Sequence, residues 1–184
     1  MTMPENQKST HLCYQRLSEN KKWITDTPLA KLQFDDSSLN ELIFEKGSLT
    51  AALMNLSEGA FDVKVLSQGL GVPYWHEQKK LNNTPTRVAY IREVELMIHG
   101  KAVVYARTII PYSLVGIRLQ SLGKTPLGHL LFKNGKIRVS KREFALVEGG
   151  SHIVKARRTP YDYQGETILV SEFFLPNLND KLES

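Results

Sequence analysis

Three charged residues interrupt strand-like segments that are otherwise apolar. Arg92 is the one basic residue in the alternating row from Val88 to Ile98, and Arg107 stands in the row from Val103 to Ile109. Glu172 lies within the run TILVSEFFLP, which is apolar on both sides of it. Residues two apart in a strand share a face, and burying an unpaired charge is costly. These residues therefore need partners of opposite charge, either in the protein or in a ligand.

The two arginines are expected to meet across a hairpin. His99-Gly100 fits a two-residue turn between two strand-like runs. That register pairs Arg92 with Arg107, and like charges directly opposite each other destabilise a sheet. The pair predicts a bound anion. The alternatives are that one or both arginines reach the rim of the sheet, or that they pair with Glu93 or a more distant acid.

Glu172 has two interpretations. With Gln164-Gly165 as the turn of the last hairpin, Glu172 is opposite Arg157, which predicts a cross-strand salt bridge. Without such a partner, desolvation would raise the pKa of the Glu172 carboxyl. A carboxyl of that kind is suited to general acid or base catalysis in a dry pocket.

Two predicted helix starts could offer main-chain N–H groups to an anion. Ser48 is the expected N-cap before Leu49, and Thr125 with Pro126 predicts a helix start that leaves the N–H of Leu127 pointing outward. The histidines have no metal-ligand spacing, and the single cysteine lies in a polar segment. We therefore expect no metal and no covalent nucleophile.

The elements that must hold these residues are helices followed by hairpins. Helical periodicity covers residues 39–46 and resumes at Leu49, and the later segments alternate as strands with short helical stretches between them. This order predicts an α+β fold with a single antiparallel sheet and helices packed against it. The predicted segments are a strand from residue 61, strands 86–98 and 101–111, helical stretches 113–122 and 127–132, and strands 137–147, 153–163 and 166–175.

Composition limits the classes of protein to consider. The chain has 184 residues, and no run of apolar residues approaches the roughly 18 needed for a membrane-spanning helix. We expect a polar N-terminal extension over 1–25, one domain over 26–178 and a polar tail over 179–184. The polar start, without a secretory signal, predicts a cytoplasmic protein with no integral membrane segment.

The net charge of +5 is concentrated in one stretch. Residues 133–158 contain eight basic and two acidic residues. We interpret this stretch as a solvated sheet face. The alternative is a nucleic-acid-binding surface, although no helix-turn-helix, zinc-finger or RNP signature accompanies it.

The motifs together resemble the chorismate lyase family. The resemblance rests on REVEL followed by Gly100, on ARTIIP at residues 106–111, on LGKTPLG at residues 122–128 and on SEFFLP at residues 171–176. Their order and spacing match the family from about Leu39 to Leu178.

The resemblance implies a fold and an activity. The fold is a sheet with a ligand pocket beneath helical flaps, and the activity is conversion of chorismate to 4-hydroxybenzoate and pyruvate without a cofactor, toward ubiquinone. Arg92 and the main chain at Leu49 and Leu127 would hold the product carboxylate. Arg107 would suit the enolpyruvyl carboxylate, and Glu172 would sit at the ring hydroxyl. Leu49 departs from the methionine expected in the family.

The expected partner is the small molecule chorismate, with no nucleic acid, and the expected state is a monomer. Two other classes stay open. One is an effector-sensing domain of the same fold that binds a small molecule without chemistry, and the other is a basic nucleic-acid-binding protein.

Overall fold

The computed structural model describes residues 13–19, 22–25, 27–34, 38–81, 88–114, 137–149 and 152–182. These residues form a seven-stranded sheet in which every paired strand runs antiparallel, and helices pack on both of its faces. The predicted α+β fold with one antiparallel sheet is confirmed.

The strand order in the sheet is β1-β2-β3-β7-β6-β4, and β5 also pairs with β6. The strands are β1 (Phe61–Gly71), β2 (Ala89–Ile98), β3 (Lys101–Pro111), β4 (Ile137–Val139), β5 (Glu143–Gly149), β6 (His152–Tyr163) and β7 (Glu166–Phe174). The helices are α1 (residues 13–18), α2 (Thr27–Gln33), α3 (Leu39–Phe44), α4 (Leu49–Leu56), α5 (Trp75–Gln78) and α6 (Asn177–Leu182), with a 3-10 helix at Tyr112–Leu114.

The predicted starts of α3 and α4 are confirmed. The Ser48 side chain accepts a hydrogen bond from the Ala51 N–H at 3.4 Å, which satisfies one of the free donors at the start of α4. The single strand predicted over 137–147 is instead two strands, β4 and β5. Of the helical stretches predicted over 113–122 and 127–132, residues 113 and 114 lie in the 3-10 helix, and the rest, including Leu127, lie outside the described residues.

Both predicted hairpin turns are present. His99 and Gly100 have φ values of 48° and 74°, and Gln164 and Gly165 have values of 56° and 82°. Two successive positive φ values match the twist of the flanking strands. The strands β6 and β7 keep one register along their length, whereas the register of β2 and β3 shifts between Leu96 and Met97.

Each face of the sheet carries its own apolar core. The face that we call the α4 face packs against α2, α3, α4 and α6, while the opposite face, the α1 face, packs against α1. Packing against the sheet extends beyond the expected domain of residues 26–178 at both ends. Tyr14 and Leu17 in α1 are buried on the α1 face, and Leu182 in α6 packs against the core of the α4 face.

Candidate active site

The α4 face has a polar zone between two apolar clusters. One cluster joins Val94 and Ala106 of the sheet to helices α3 and α4, and the other is formed around Tyr90, Ile110 and Tyr161. Side-chain alternation then places a set of polar residues of the sheet between these clusters on the same face, namely Arg92, Thr108, Arg157, Thr159 and Glu172. A polar zone enclosed by apolar walls is a typical setting for a ligand site.

Arg92 is held in the middle of β2 opposite Thr108 of β3. Its side chain lies on the α4 face because Val94, two residues further along β2, packs there. Arg92 is only 3% exposed. Burial lowers the pKa of its guanidinium, with the Tyr90 hydroxyl acting in the opposite direction. The positive charge is therefore held at an energetic cost, which a bound anion would reduce.

Glu172 lies opposite Arg157 in the β6–β7 pair, as predicted, and opposite Ala106 of β3. The Arg157 Nε donates a hydrogen bond to the Glu172 carboxylate, so the predicted cross-strand salt bridge is present. The Glu172 side chain keeps 14% of its surface exposed, against 3% for Arg157. One carboxylate is therefore fixed at the polar zone and still partly accessible.

Arg142 is a third guanidinium at this site. It donates hydrogen bonds to the carbonyls of residues 45–47, which connect α3 to α4. Burial and the neighbouring Arg157 lower the pKa of Arg142, while Tyr161 and Glu172 oppose the shift. Its Nε is buried and has no hydrogen-bond partner among the described residues. In the sequence, Arg142 is only one basic residue of the stretch 133–158, and no local signal predicts its position here because its partners lie 95 to 97 residues away.

The start of α4 contributes main-chain donors to the same face. Leu49 is the first residue of α4 and is 3% exposed, within the cluster that also contains Val94 and Ala106. The first N–H groups of a helix have no partner within the helix and carry partial positive charge. This end of α4 therefore suits an anion.

The predicted pairing of Arg92 with Arg107 is wrong. The bulge between Leu96 and Met97 shifts the register by one residue, so that Arg107 pairs with Glu93 and Arg92 with Thr108. Arg107 consequently points to the α1 face, away from Arg92 and Glu172.

Arg107 is bound there by two buried carboxylates. Its Nε donates to Glu77 Oε1 at 2.9 Å, its second terminal nitrogen donates to Glu77 Oε2 at 3.2 Å, and its first donates to Glu93 Oε1 at 2.9 Å. Burial alone would lower the pKa of Arg107, but Glu77, Tyr105 and Glu93 raise it above its ordinary value. The predicted alternative, a pairing of Arg107 with Glu93, is therefore present, and it makes the Arg107 charge structural.

Other charges described on the α1 face are also paired. Arg158 donates to Glu143 at 2.5 Å and 2.8 Å, and Lys80 reaches the other oxygen of Glu143 at 2.6 Å. Glu95 accepts hydrogen bonds from Tyr14 at 2.6 Å and from Lys64 at 3.0 Å. The network described on this face therefore joins four carboxylates to four cations.

The described cluster at the polar zone of the α4 face contains more cations than carboxylates. The described cluster on the α4 face holds three guanidiniums, those of Arg92, Arg142 and Arg157, and one carboxylate, that of Glu172. This cluster suits a small ligand with about two negative charges.

The interpretation of residues 133–158 as a solvated face is wrong at its end, because Arg157 and Arg158 are each 2% exposed.

Metal-binding clusters and membrane-spanning helices are both absent from the described part of the chain. It contains no group of three or more His, Cys, Asp or Glu residues placed to hold a metal ion. No helix within those residues is long and apolar enough to cross a membrane.

Comparison with protein families gives a match over residues 17–183 to the family described as chorismate lyase. Curated relatives carry the name probable chorismate pyruvate-lyase. The protein from Methylococcus capsulatus is 36% identical over 149 residues, covering 73% of this chain and 92% of the relative. The one from Aromatoleum aromaticum is 32% identical over 178 residues, covering 86% and 94%.

Solved structures share the fold at low sequence identity. A GntR-family transcriptional regulator from Enterococcus faecalis matches with a TM-score of 0.51 and 14% identity, covering 62% of this chain and 94% of that one. The effector domain of PhnF from Mycobacterium smegmatis matches with a TM-score of 0.50 and 12% identity, covering 71% and 90%. At these identities the similarity shows a common fold alone.

Proposed function

This chain belongs to the chorismate lyase family, and we propose that it converts chorismate to 4-hydroxybenzoate and pyruvate. The observation that carries the proposal is the cluster of guanidiniums around Glu172 on the α4 face. Chorismate bears a ring carboxylate and an enolpyruvyl carboxylate, and the described cluster holds three guanidiniums for one carboxylate. A dianion placed there would balance the charge.

The ring carboxylate is proposed to bind between Arg92 and the start of α4. Arg92 supplies a buried guanidinium, and the Leu49 N–H supplies a main-chain donor at the positive end of α4. A main-chain donor is unaffected by the change from methionine to leucine at this position. The N–H of Leu127, from the resemblance, is proposed as a second main-chain donor.

The second carboxylate needs a different partner from the one expected. Arg107 is unsuitable because its guanidinium is held by Glu77 and Glu93 on the α1 face. We place the enolpyruvyl carboxylate toward Arg142, whose Nε is buried without a hydrogen-bond partner among the described residues. A guanidinium there would stabilise the negative charge that develops as enolpyruvate leaves.

Glu172 is proposed to act at the opposite end of the ring from Arg92. The two residues are two strands apart and displaced by two residues, so regular strand spacing puts their Cα atoms about 12 Å apart. That span accommodates a six-membered ring between the two side-chain ends. The Glu172 carboxylate already accepts a hydrogen bond from Arg157. Its proposed role is therefore that of an acceptor, which binds the ring hydroxyl and assists proton removal.

The reaction balances without a redox partner. The bond between the ring carbon and the ether oxygen breaks, the neighbouring carbon that carries the hydroxyl loses its proton, and the released electron pair completes the aromatic ring. Enolpyruvate gains a proton at its methylene carbon and becomes pyruvate. Aromatisation drives the step, so the proposed reaction needs no cofactor. We further propose that the enzyme is cytoplasmic and monomeric and that it supplies 4-hydroxybenzoate for ubiquinone.

The competing proposal is a sensor domain of the same fold that binds a small effector without chemistry. The test is to incubate the purified protein with chorismate and to quantify 4-hydroxybenzoate and pyruvate by chromatography. The enzyme yields the two products in equal amounts, and both Arg92→Gln and Glu172→Gln lower the rate by roughly 10²- to 10³-fold. Saturable chorismate binding without either product would support the sensor and contradict the lyase.

A further inference from the structure

Arg157 makes more contacts than a cross-strand salt bridge requires. Its side chain is buried in β6, where its Nε donates to the Glu172 carboxylate. Its first terminal nitrogen donates to three main-chain carbonyls, those of Leu42 at 2.9 Å, Ile43 at 3.3 Å and Glu45 at 3.2 Å. One guanidinium thus joins the carboxylate of the site to a segment more than 110 residues away in the chain.

These carbonyls belong to the C-terminal end of α3. The last carbonyls of a helix have no partner within the helix and carry partial negative charge, so a cation stabilises them. The helix ends at Phe44, with Glu45 as its C-cap. Arg142 binds the carbonyls of residues 45–47, so that two guanidiniums hold the segment between α3 and α4.

The same segment leads directly to the start of α4. Residue 47 is followed by Ser48, the N-cap, and by Leu49, whose N–H we propose as a substrate donor. A continuous set of contacts therefore runs from Glu172 through Arg157 and residues 42–47 to the first turn of α4. The two ends of this set are the two groups proposed to bind opposite ends of the substrate ring.

We propose that Arg157 is a positioning residue, which fixes Glu172 and the start of α4 relative to each other and so sets the geometry of substrate binding. This inference rests on the proposed function for its catalytic consequence. The physical coupling between Glu172 and α4 can be tested without turnover.

An arginine is required for both contacts at once. The planar guanidinium presents five donors in a fixed arrangement, whereas the lysine ammonium is a single point charge on a flexible stem. Lysine at position 157 could keep the ion pair with Glu172, but it could not also span the carbonyls of α3. Arg157→Lys therefore separates the two contacts.

The chain provides a matched control in the next residue. Arg158 is also 2% exposed and also forms a buried ion pair, with Glu143. It points to the α1 face and has no contact with Glu172 or α3 among the described residues. Arg158→Gln therefore removes an equivalent buried charge without touching the proposed coupling.

The experiment measures amide hydrogen exchange and steady-state kinetics on the full chain. The reporters are the N–H groups of Ala51 and Ala52, which bond to Ser48 in the first turn of α4. Exchange is compared without denaturant, at a pH where circular dichroism shows that every variant is folded. The variants are Arg157→Gln, Arg157→Lys, Arg158→Gln and Glu172→Gln.

Arg157→Gln should accelerate exchange at Ala51 and Ala52 by roughly 10- to 100-fold, the effect of losing hydrogen bonds from a charged group. In Arg158→Gln, the exchange rates of these two amides, compared with those of the amides in the sheet, should be the same as in the wild type. In turnover, Arg157→Lys should raise KM for chorismate while retaining more of kcat than Glu172→Gln does.

The inference is overturned if Arg157→Gln leaves Ala51 and Ala52 as protected as in the wild type, or if Arg158→Gln accelerates them equally. If Arg157→Gln does not fold, Arg157→Lys decides by the same exchange measurement. A wild-type protein that does not turn over chorismate refutes the proposed function, while the exchange result still decides the coupling. Normal wild-type turnover with unchanged exchange refutes the coupling alone.

Discussion

Replacing Arg107 distinguishes a structural charge from a catalytic one. In Arg107→Gln, two buried carboxylates lose their shared guanidinium, because Arg107 donates three hydrogen bonds to Glu77 and Glu93. Both acids are well buried, at 1% and 8% exposure. The change should therefore act on the stability of the fold and leave the chemistry on the α4 face intact.

The magnitude follows from the burial of the network. Breaking a buried ion pair by removing one partner costs about 3–5 kcal/mol. For a chain of this size, each kcal/mol lowers Tm by roughly 2–4 °C, so the expected decrease is about 6–20 °C. Hydrogen bonds from Ser67, Tyr105 and Arg107 lower the pKa of Glu93 against the effect of burial. Losing Arg107 removes part of that stabilisation.

The assay combines thermal unfolding, followed by circular dichroism, with turnover of chorismate at a temperature where the variant is folded. We expect kcat/KM within about threefold of the wild type per folded molecule. Arg92→Gln is the matched comparison, because Arg92 is equally buried but lies on the α4 face. It should lose activity by roughly 10²- to 10³-fold with a smaller decrease in Tm.

The reverse pattern would refute this reasoning. If Arg107→Gln keeps the Tm of the wild type and loses about 100-fold or more in kcat/KM, Arg107 binds substrate. The register of β2 and β3 would then need to be reconsidered.

The remaining predictions concern α4, the α1 face and a turn. Leu49→Pro removes one N–H at a position where helices tolerate proline. It should weaken 4-hydroxybenzoate binding, measured by calorimetry, more than Leu49→Ala does, because alanine keeps the N–H. Equal losses of affinity would exclude the main-chain contact. Burial, and to a lesser extent Arg158, lower the pKa of His76, so the folded protein takes up a proton less readily than the unfolded chain. Stability should thus fall as pH decreases below the ordinary His value of 6.5, measured as the urea midpoint, and His76→Gln should flatten the dependence; an unaltered slope would contradict this origin. Gly100→Ala should lower stability by about 1 kcal/mol, because Gly100 has a φ of 74°, and an unchanged urea midpoint would show that the turn relaxes.

The sequence predicted the helices α3 and α4 and the pairing of Glu172 with Arg157 because each depends on local signals. The N-cap at Ser48 and the turn at Gln164-Gly165 specify their neighbours directly, and no bulge interrupts β6 and β7. The β2–β3 hairpin has an equally clear turn, but the bulge at Leu96 leaves no distinctive residue in the sequence. Because one strand contains one extra residue, the cross-strand neighbour of Arg107 is Glu93 and not the predicted Arg92.

The burial of Arg157 and Arg158 was not predictable from their own segment. Eight basic residues in 26 positions are typical of a solvated surface, and apart from Glu143 the groups that compensate these two arginines lie outside that stretch. Arg158 pairs with Glu143 and contacts His76, and Arg157 binds the end of α3. Such long-range neutralisation is a property of the folded sheet and has no local sequence signal.

The position of the bound product tests the central claim most directly. A crystal structure of the protein with 4-hydroxybenzoate should show the ring on the α4 face, with its carboxylate at Arg92 and the Leu49 N–H and its hydroxyl at Glu172. Product bound at Arg107 on the α1 face, or bound on the α4 face without contact to Arg92 and Glu172, would contradict the account.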